Sequence, residues 1–273
     1  MKIQYTNAGI TIFESSLYRT TSTVIDFGDT ILIVDPNWLP VEVDAIKIFV
    51  NTQHKNKKQY LLFTHSDYDH IIGYNAFPDA IVISSVAFRD NSDKAEVLKQ
   101  ICDFDNEFYI RREYPISYPT SDIVIIDLGQ KLMIDGYELI FFHSPGHNAD
   151  GIFTLIPSKL CWIAGDYLSN IEMPFIDFDA NMYLNTLHLA NQILIDFPHI
   201  NVLIPGHGDV ATSATEIYTR ILNDIKYIEL LKLYKSDLSA ENLLKVEDHI
   251  RNYADNPTLL EANQKNIKKL LSI

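Results

Sequence analysis

The chain has 273 residues, 47% of them hydrophobic and 21% charged, an ordinary globular balance with enough apolar material for one large domain or two small ones. Its formal net charge of -14 repels phosphate backbones, which sets aside nucleic acid as a partner and argues against polyanionic substrates. No stretch approaches the roughly 20 apolar residues that span a bilayer, and Met1-Lys2-Ile3-Gln4-Tyr5 lacks the basic-then-apolar pattern of a secretory leader. A cytoplasmic protein with no membrane partner is expected, its Cys102 and Cys161 reduced and partly buried because neither belongs to a CxxC pair.

Taken in order, Ile10 to Phe13 and Thr20 to Phe27 are rich in Thr, Ile and Val and read as strands. Gly28-Asp29 turns the chain back into Thr30 to Val34, and Asp35-Pro36 ends that strand. Val41 to Val50 reads as a helix opened by Pro40, followed by a polar loop over Asn51 to Gln59. Tyr60 to Phe63 and Ala80 to Ser84 are short strands, and Asn91 to Arg112 is helical in parts. Strands follow at Ile123 to Ile126, Lys131 to Ile134 and Glu138 to Phe142, the last two joined by the tight turn Asp135-Gly136. Phe153 to Ile156 and Leu160 to Ala164 are split by Pro157-Ser158. Ala180 to Ile195 reads as an amphipathic helix, Val202 to Ile204 as a strand, and the chain from Ser213 as helical. No short repeat and no Gly-, Pro- or Ser-rich linker interrupts it. This predicts an α/β fold with one domain over residues 1–225 and a helical extension over 226–273, which either packs on the domain or makes a homodimer contact.

The chemistry gathers in Thr64-His65-Ser66-Asp67-Tyr68-Asp69-His70, directly after the strand at Tyr60 to Phe63. Two histidines and two aspartates so close together cannot share one face of a regular element, and they fit a loop where side chains converge. Imidazole and carboxylate are ligands for zinc, iron and manganese. Three more strands run into His or Asp beside glycine: His143-Ser144-Pro145-Gly146-His147, Gly165-Asp166, and Pro205-Gly206-His207-Gly208. Glycine lets the backbone turn sharply toward a shared centre. A lone His or Asp after a strand is more often a turn residue; four such sites in order form a pattern.

With these pieces in order, the chain resembles the metallo-β-lactamase-fold superfamily, whose pattern is HxHxDH, then a third His, a Gly-Asp and a final Gly-His. The resemblance covers roughly residues 10 to 225 and implies a four-layer αββα sandwich with two divalent metal ions at one edge of its sheets. Carried over residue by residue, the first ion takes His65, Asp67 and His147, and the second takes Asp69, His70 and His207. Asp166 bridges them, together with a water or hydroxide. Asp67 departs from the family, which usually places His there. The extra carboxylate lowers the charge of the site, makes its bound water less acidic and the site a weaker Lewis acid, and tilts the metal preference from zinc toward iron or manganese.

The implied reaction is hydrolysis of an ester, lactone, thioester or amide of a small molecule, with Asp69 and Asp166 as its catalytic carboxylates. The alternatives are di-iron, oxygen-handling chemistry, since a redox branch of the fold carries HxExDH, and a non-catalytic metal-binding member. Lactonases of the fold place Tyr three residues after the bridging Asp, where this chain has Ser169. Substrate-facing candidates are Tyr68, Ser169 and Phe175, the last within an apolar stretch from Ile171 to Phe178 that also reads as core. Asp35 is a candidate support for the metal loop. His143 reads as structural, and His54, His188, His199 and His249 lie outside any motif.

Overall fold

Strand formation at the N-terminus follows from turn chemistry as much as from β-branched residues. The computed structural model describes residues 1–254 and 256–271. Its first strand, β1 (Lys2–Asn7), escapes sequence reading because only Ile3 and Tyr5 are apolar and the strand is largely exposed. Ala8 and Gly9, both at positive φ, reverse the chain into β2 (Ile10–Glu14). β3 (Thr21–Asp26) and β4 (Thr30–Val34) complete an antiparallel run, turning at Gly28 with φ +108.

From there parallel strands alternate with helices: α1 (Pro40–Gln53), β5 (Lys58–Leu62), α2 (Tyr68–Ile71), β6 (Ile81–Ser85), α3 (Val86–Arg89), α4 (Lys94–Glu107) and β7 (Ile123–Ile125). The loop expected over 51–59 is shorter than its polarity suggests, since α1 runs to Gln53 and β5 begins at Lys58. An antiparallel set follows, β8 (Gln130–Ile134), β9 (Tyr137–His143) and β10 (Ile152–Ile156). Asp135 and Gly136, both at positive φ, form the turn between β8 and β9. The remaining elements are β11 (Cys161–Gly165), α5 (Ala180–Asp196), β12 (Val202–Pro205), α6 (Ala214–Ser236), α7 (Ala240–Ile250) and α8 (Pro257–Leu271).

Two sheets and, among the described residues, eight α-helices make the mixed α/β composition expected from the sequence, with a wholly helical C-terminal region. The chain divides into two compact units, the first comprising Met1–His143 and Asp150–Lys159, the second Ser144–Ala149 and residues 160 onward. In the first unit β1 to β7 lie side by side in chain order. Beneath them sits a core of Phe13, Ile31, Trp38, Ile46, Phe63 and Phe88, all essentially shut off from water. Burial of such side chains contributes about 1.5–3 kcal/mol each.

In the second unit β11 and β12 run parallel, and α6 packs on α5, α7 and α8. Tyr183, Leu187, Ala190 and Ile193 line the buried side of α5 at helical spacing. The expected boundary near residue 225 falls inside the continuous α6. Both cysteines are free, but only Cys161 is buried; Cys102 lies exposed on α4, because its side of that helix is the polar one. No helix among the described residues is long and apolar enough to cross a membrane.

Candidate metal centre

In the first unit the metal loop is held at the Thr64 amide and carbonyl and at the Ser66 amide. Asp35, in the left-handed region at φ +43, points its carboxylate back along the loop. Its Oδ1 accepts from the Thr64 amide at 3.0 Å, and its Oδ2 accepts from the Thr64 hydroxyl at 2.6 Å. The same Oδ2 stands 3.0 Å from Nδ1 of His70. One buried carboxylate thus ties the end of β5 to α2. The Thr64 carbonyl accepts from the Ile152 amide at 2.9 Å. The Ser66 amide donates to Asp150 Oδ1 at 3.2 Å, and Asn91 donates to the Ser66 hydroxyl at 2.8 Å. Burial raises the Asp150 carboxyl above its ordinary range.

The loop expected over residues 65–70 is in part the single-turn helix α2, with Asp67 as its N-cap. This spreads the four candidates in two pairs: Nε2 of His65 stands 3.6 Å from Asp67 Oδ2, and Nε2 of His70 stands 3.6 Å from Asp69 Oδ2. The two imidazole rings lie 4.1 Å apart.

In the second unit parallel pairing does the positioning. β11 and β12 end at the same edge, so Asp166 and His207 emerge together, and the Gly206 amide donates to the Gly165 carbonyl. Asp166 Oδ2 then lies 3.3 Å from Nε2 of His207 and 3.5 Å from Nε2 of His147. His147 is fixed on three sides. Its amide donates to the Tyr167 hydroxyl at 3.0 Å, its carbonyl accepts from the Asp177 amide at 2.9 Å, and its Nδ1 stands 2.8 Å from the Phe175 carbonyl. Burial pushes the Tyr167 phenol up, which keeps it neutral. Gly146 permits the approach: its φ is +139, and a Cβ there would stand 2.3 Å from the Tyr183 Cα.

The donor set fits metal ions. All four histidines present Nε2 to a carboxylate oxygen at 3.3–3.6 Å. That is longer than the usual N–H···O distance. Two ligands held about 2.0–2.2 Å from one tetrahedral ion stand about 3.3–3.6 Å apart. In His70 and His147 the other ring nitrogen is engaged by Asp35 and by the Phe175 carbonyl, and in His65 by the Thr64 hydroxyl at 2.9 Å. Such partners fix the ring orientation of a ligating histidine.

The remaining candidates take varied places. The Tyr68 ring packs on Trp38 at 5.2 Å, and burial together with Asp69 raises its phenol. The Ser169 hydroxyl caps a turn, accepting from the Ile171 and Glu172 amides at 3.1 Å each. Phe175, half-buried, contributes its carbonyl to His147, and it lines a cavity of about 10 Å³ with Asp166, Ser169 and His207. His143 Nε2 lies 3.0 Å from the Ile126 carbonyl.

Three supports carry no signature that sequence reading recognised: Asp150, Asn91 and Asn266. Asp150 precedes β10, Asn91 lies between α3 and α4, and Asn266 lies within α8. Asn266, on α8, donates to the Pro174 carbonyl at 2.7 Å and accepts from the Ile176 amide at 3.0 Å, bracketing Phe175.

Comparison with known proteins identifies the family. The family model of the metallo-beta-lactamase superfamily matches residues 17–207, and the chain belongs to that superfamily. Comparison with curated proteins yields no match. Among solved structures it is similar to a metallo-beta-lactamase from Pontibacter korlensis (15% identity, TM-score 0.59, covering 82% of this chain and 98% of that one). A metallo-beta-lactamase from Hirschia baltica gives 14% identity and a TM-score of 0.56, covering 81% and 96%. The sec-alkylsulfatase Pisa1 from a Pseudomonas species gives 13% identity and a TM-score of 0.68, with 86% of this chain spanning 42% of that protein. At these identities the likeness is one of fold.

Proposed function

We propose that the protein is a metal-dependent hydrolase acting on an ester, lactone, thioester or amide bond of a small molecule. The observation that carries the reading is the set of four Nε2–carboxylate pairs spaced for shared coordination. Superfamily membership supports it, as do fold neighbours whose names denote hydrolysis of β-lactams and of alkyl sulfates. In this reading His65, Asp67 and His147 hold one ion, Asp69, His70 and His207 hold the second, and Asp166 serves both. Divalent ions held there would supply a nucleophilic water near neutral pH and polarise a scissile carbonyl. The protein's own work is to hold the donors rigid through Asp35, Asp150 and the Phe175 carbonyl, and to carry the proton on Asp69, whose side chain is 11% exposed.

Zinc is the first assignment. Asp67 adds a third carboxylate to the set, which favours harder ions, so iron and manganese follow, and with iron comes the second reading, oxygen chemistry at a di-iron centre. Metal analysis of protein purified without added metal, for wild type and Asp67→His, separates them. About two zinc or manganese ions per chain with turnover of simple esters or lactones supports the hydrolase. About two irons with an oxygen-sensitive visible spectrum moves the reading to redox chemistry. No metal in either protein removes the ligand assignment altogether.

A further inference from the structure

Beside the metal loop, wholly within the first unit, lies a cleft of about 730 Å³. That volume lies within the range of small-molecule pockets. Four aromatic side chains line it: Tyr18, Tyr68, Phe104 and Phe108. The walls are built, not incidental. Phe104 stacks on the buried Trp38 at 4.7 Å with 19° between the rings, and Phe108 leans on Phe104 at 4.9 Å. The segment after α4 is tied down by Arg112, which grips Asp105 with two 2.8 Å bonds and donates to the Trp38 carbonyl at 2.9 Å. Tyr68 belongs to the cleft and stands in sequence between the candidate ligands Asp67 and Asp69. The cleft therefore borders the metal loop at Tyr68.

Its polar lining is one-sided. Gln100, Asp103 and Glu107 reach it, and among the described residues no Lys, Arg or His does. Asp103 is paired with Lys99 at 2.8 Å on the outer surface of α4, which leaves Glu107 as the carboxylate that sets the sign. An anionic group placed here meets like charge and loses its hydration. A cation gains twice, from Glu107 and from the faces of the aromatic rings, which attract ammonium groups within about 6 Å. Tyr18 and Phe108 are 61% and 57% exposed, so both are open to a ligand.

We infer that this cleft binds the apolar portion of the substrate and selects one that carries a positive charge, an alkyl or aryl ammonium, over one that carries a negative charge. The inference deepens the hydrolase reading and rests on it for the word substrate; the cleft as a binding site does not depend on turnover.

Calorimetric titration of the metal-loaded protein with octyltrimethylammonium and with octyl sulfate tests it, in wild type, Glu107→Lys and Phe108→Ala. Both substituted positions are exposed and outside the metal loop. The ammonium should bind wild type about tenfold more tightly than the sulfate, the ratio that one good cation–π contact supplies. Glu107→Lys should erase or reverse that ratio, and Phe108→Ala should weaken the ammonium several-fold. Ammonium binding that neither substitution moves, or sulfate binding as tight as ammonium binding and weakened by Phe108→Ala, overturns the inference. Turnover of 4-nitrophenyl acetate is followed in parallel. Selective ammonium binding without ester turnover means that the hydrolase reading has failed and the cleft stands. Turnover without selective binding means the reverse.

Discussion

Asp35 illustrates how much one buried carboxylate does at this site. It takes three hydrogen-bonding partners, the Thr64 amide, the Thr64 hydroxyl and His70 Nδ1, from two consecutive pieces of the metal loop. In Asp35→Ala the Thr64 amide is left buried without its acceptor, which costs about 1–3 kcal/mol of stability. Loss of the partner on His70 should lower metal affinity about 10–100-fold. Urea unfolding of chelated protein and zinc titration read the two effects separately; unchanged zinc affinity would show that His70 needs no support. Asp224, on α6, is a different case. Burial pushes its carboxyl up to about 7, while the Tyr253 hydroxyl donates to it at 2.8 Å. Its proton is thus kept in the folded state and lost in the unfolded state between about pH 4 and pH 7, so this group's contribution to stability falls as pH rises through that window and is level above it. Metal-free wild type should lose melting temperature from pH 5 to pH 7.5 more steeply than Asp224→Asn. Parallel curves would mean that Asp224 is ionised when folded.

The C-terminal helices work on the site through a short relay. Asn266 of α8 brackets residues 174–176, the Phe175 carbonyl engages His147 Nδ1, and His147 faces Asp166. Asn266 is itself held by the Tyr227 hydroxyl of α6 at 2.8 Å. Asn266→Leu, close in volume but without hydrogen bonds, should leave overall helicity intact and broaden or shift the His147 ring signals in nitrogen-15 NMR of the chelated protein. An unaltered His147 spectrum would show that the relay carries no positional information. Legibility divides along the same line. The metal loop stood out in the sequence by its density of His and Asp after a strand, and His147, Asp166 and His207 by a glycine beside each at a strand end. The strands themselves announce their pleat in β-branched residues. Asn266 could not be read, since an asparagine in a helix 119 positions after His147 looks like surface. Nor could the cleft, because Tyr18, Tyr68 and Phe108 meet only once the first unit has folded. The exposed β1 and the single-turn α2 fell below what periodicity resolves.

At the scale of the whole chain, charge and topology act together. A net charge of -14 concentrates cations near the surface, so metal association should slow as ionic strength rises past the point where the Debye length falls to about 10 Å. The proposed ligands are spread from His65 to His207, with intervals of 82 and 60 residues around His147. An unfolded chain would have to close both loops before it offered the same set, and closure costs entropy that grows with loop length. Metal held by the proposed ligands would therefore bind the folded state in strong preference. For each site, free metal at a thousand times its Kd adds about 4 kcal/mol of stability. For a chain of this size that corresponds to a rise in melting temperature of about 8–16 °C. Chelation should reverse the rise, and His207→Ala should shrink it while leaving the chelated melting temperature close to that of chelated wild type. A melting temperature indifferent to zinc, manganese and iron alike would remove the metal centre, since an ion that binds only the folded chain cannot bind without stabilising it.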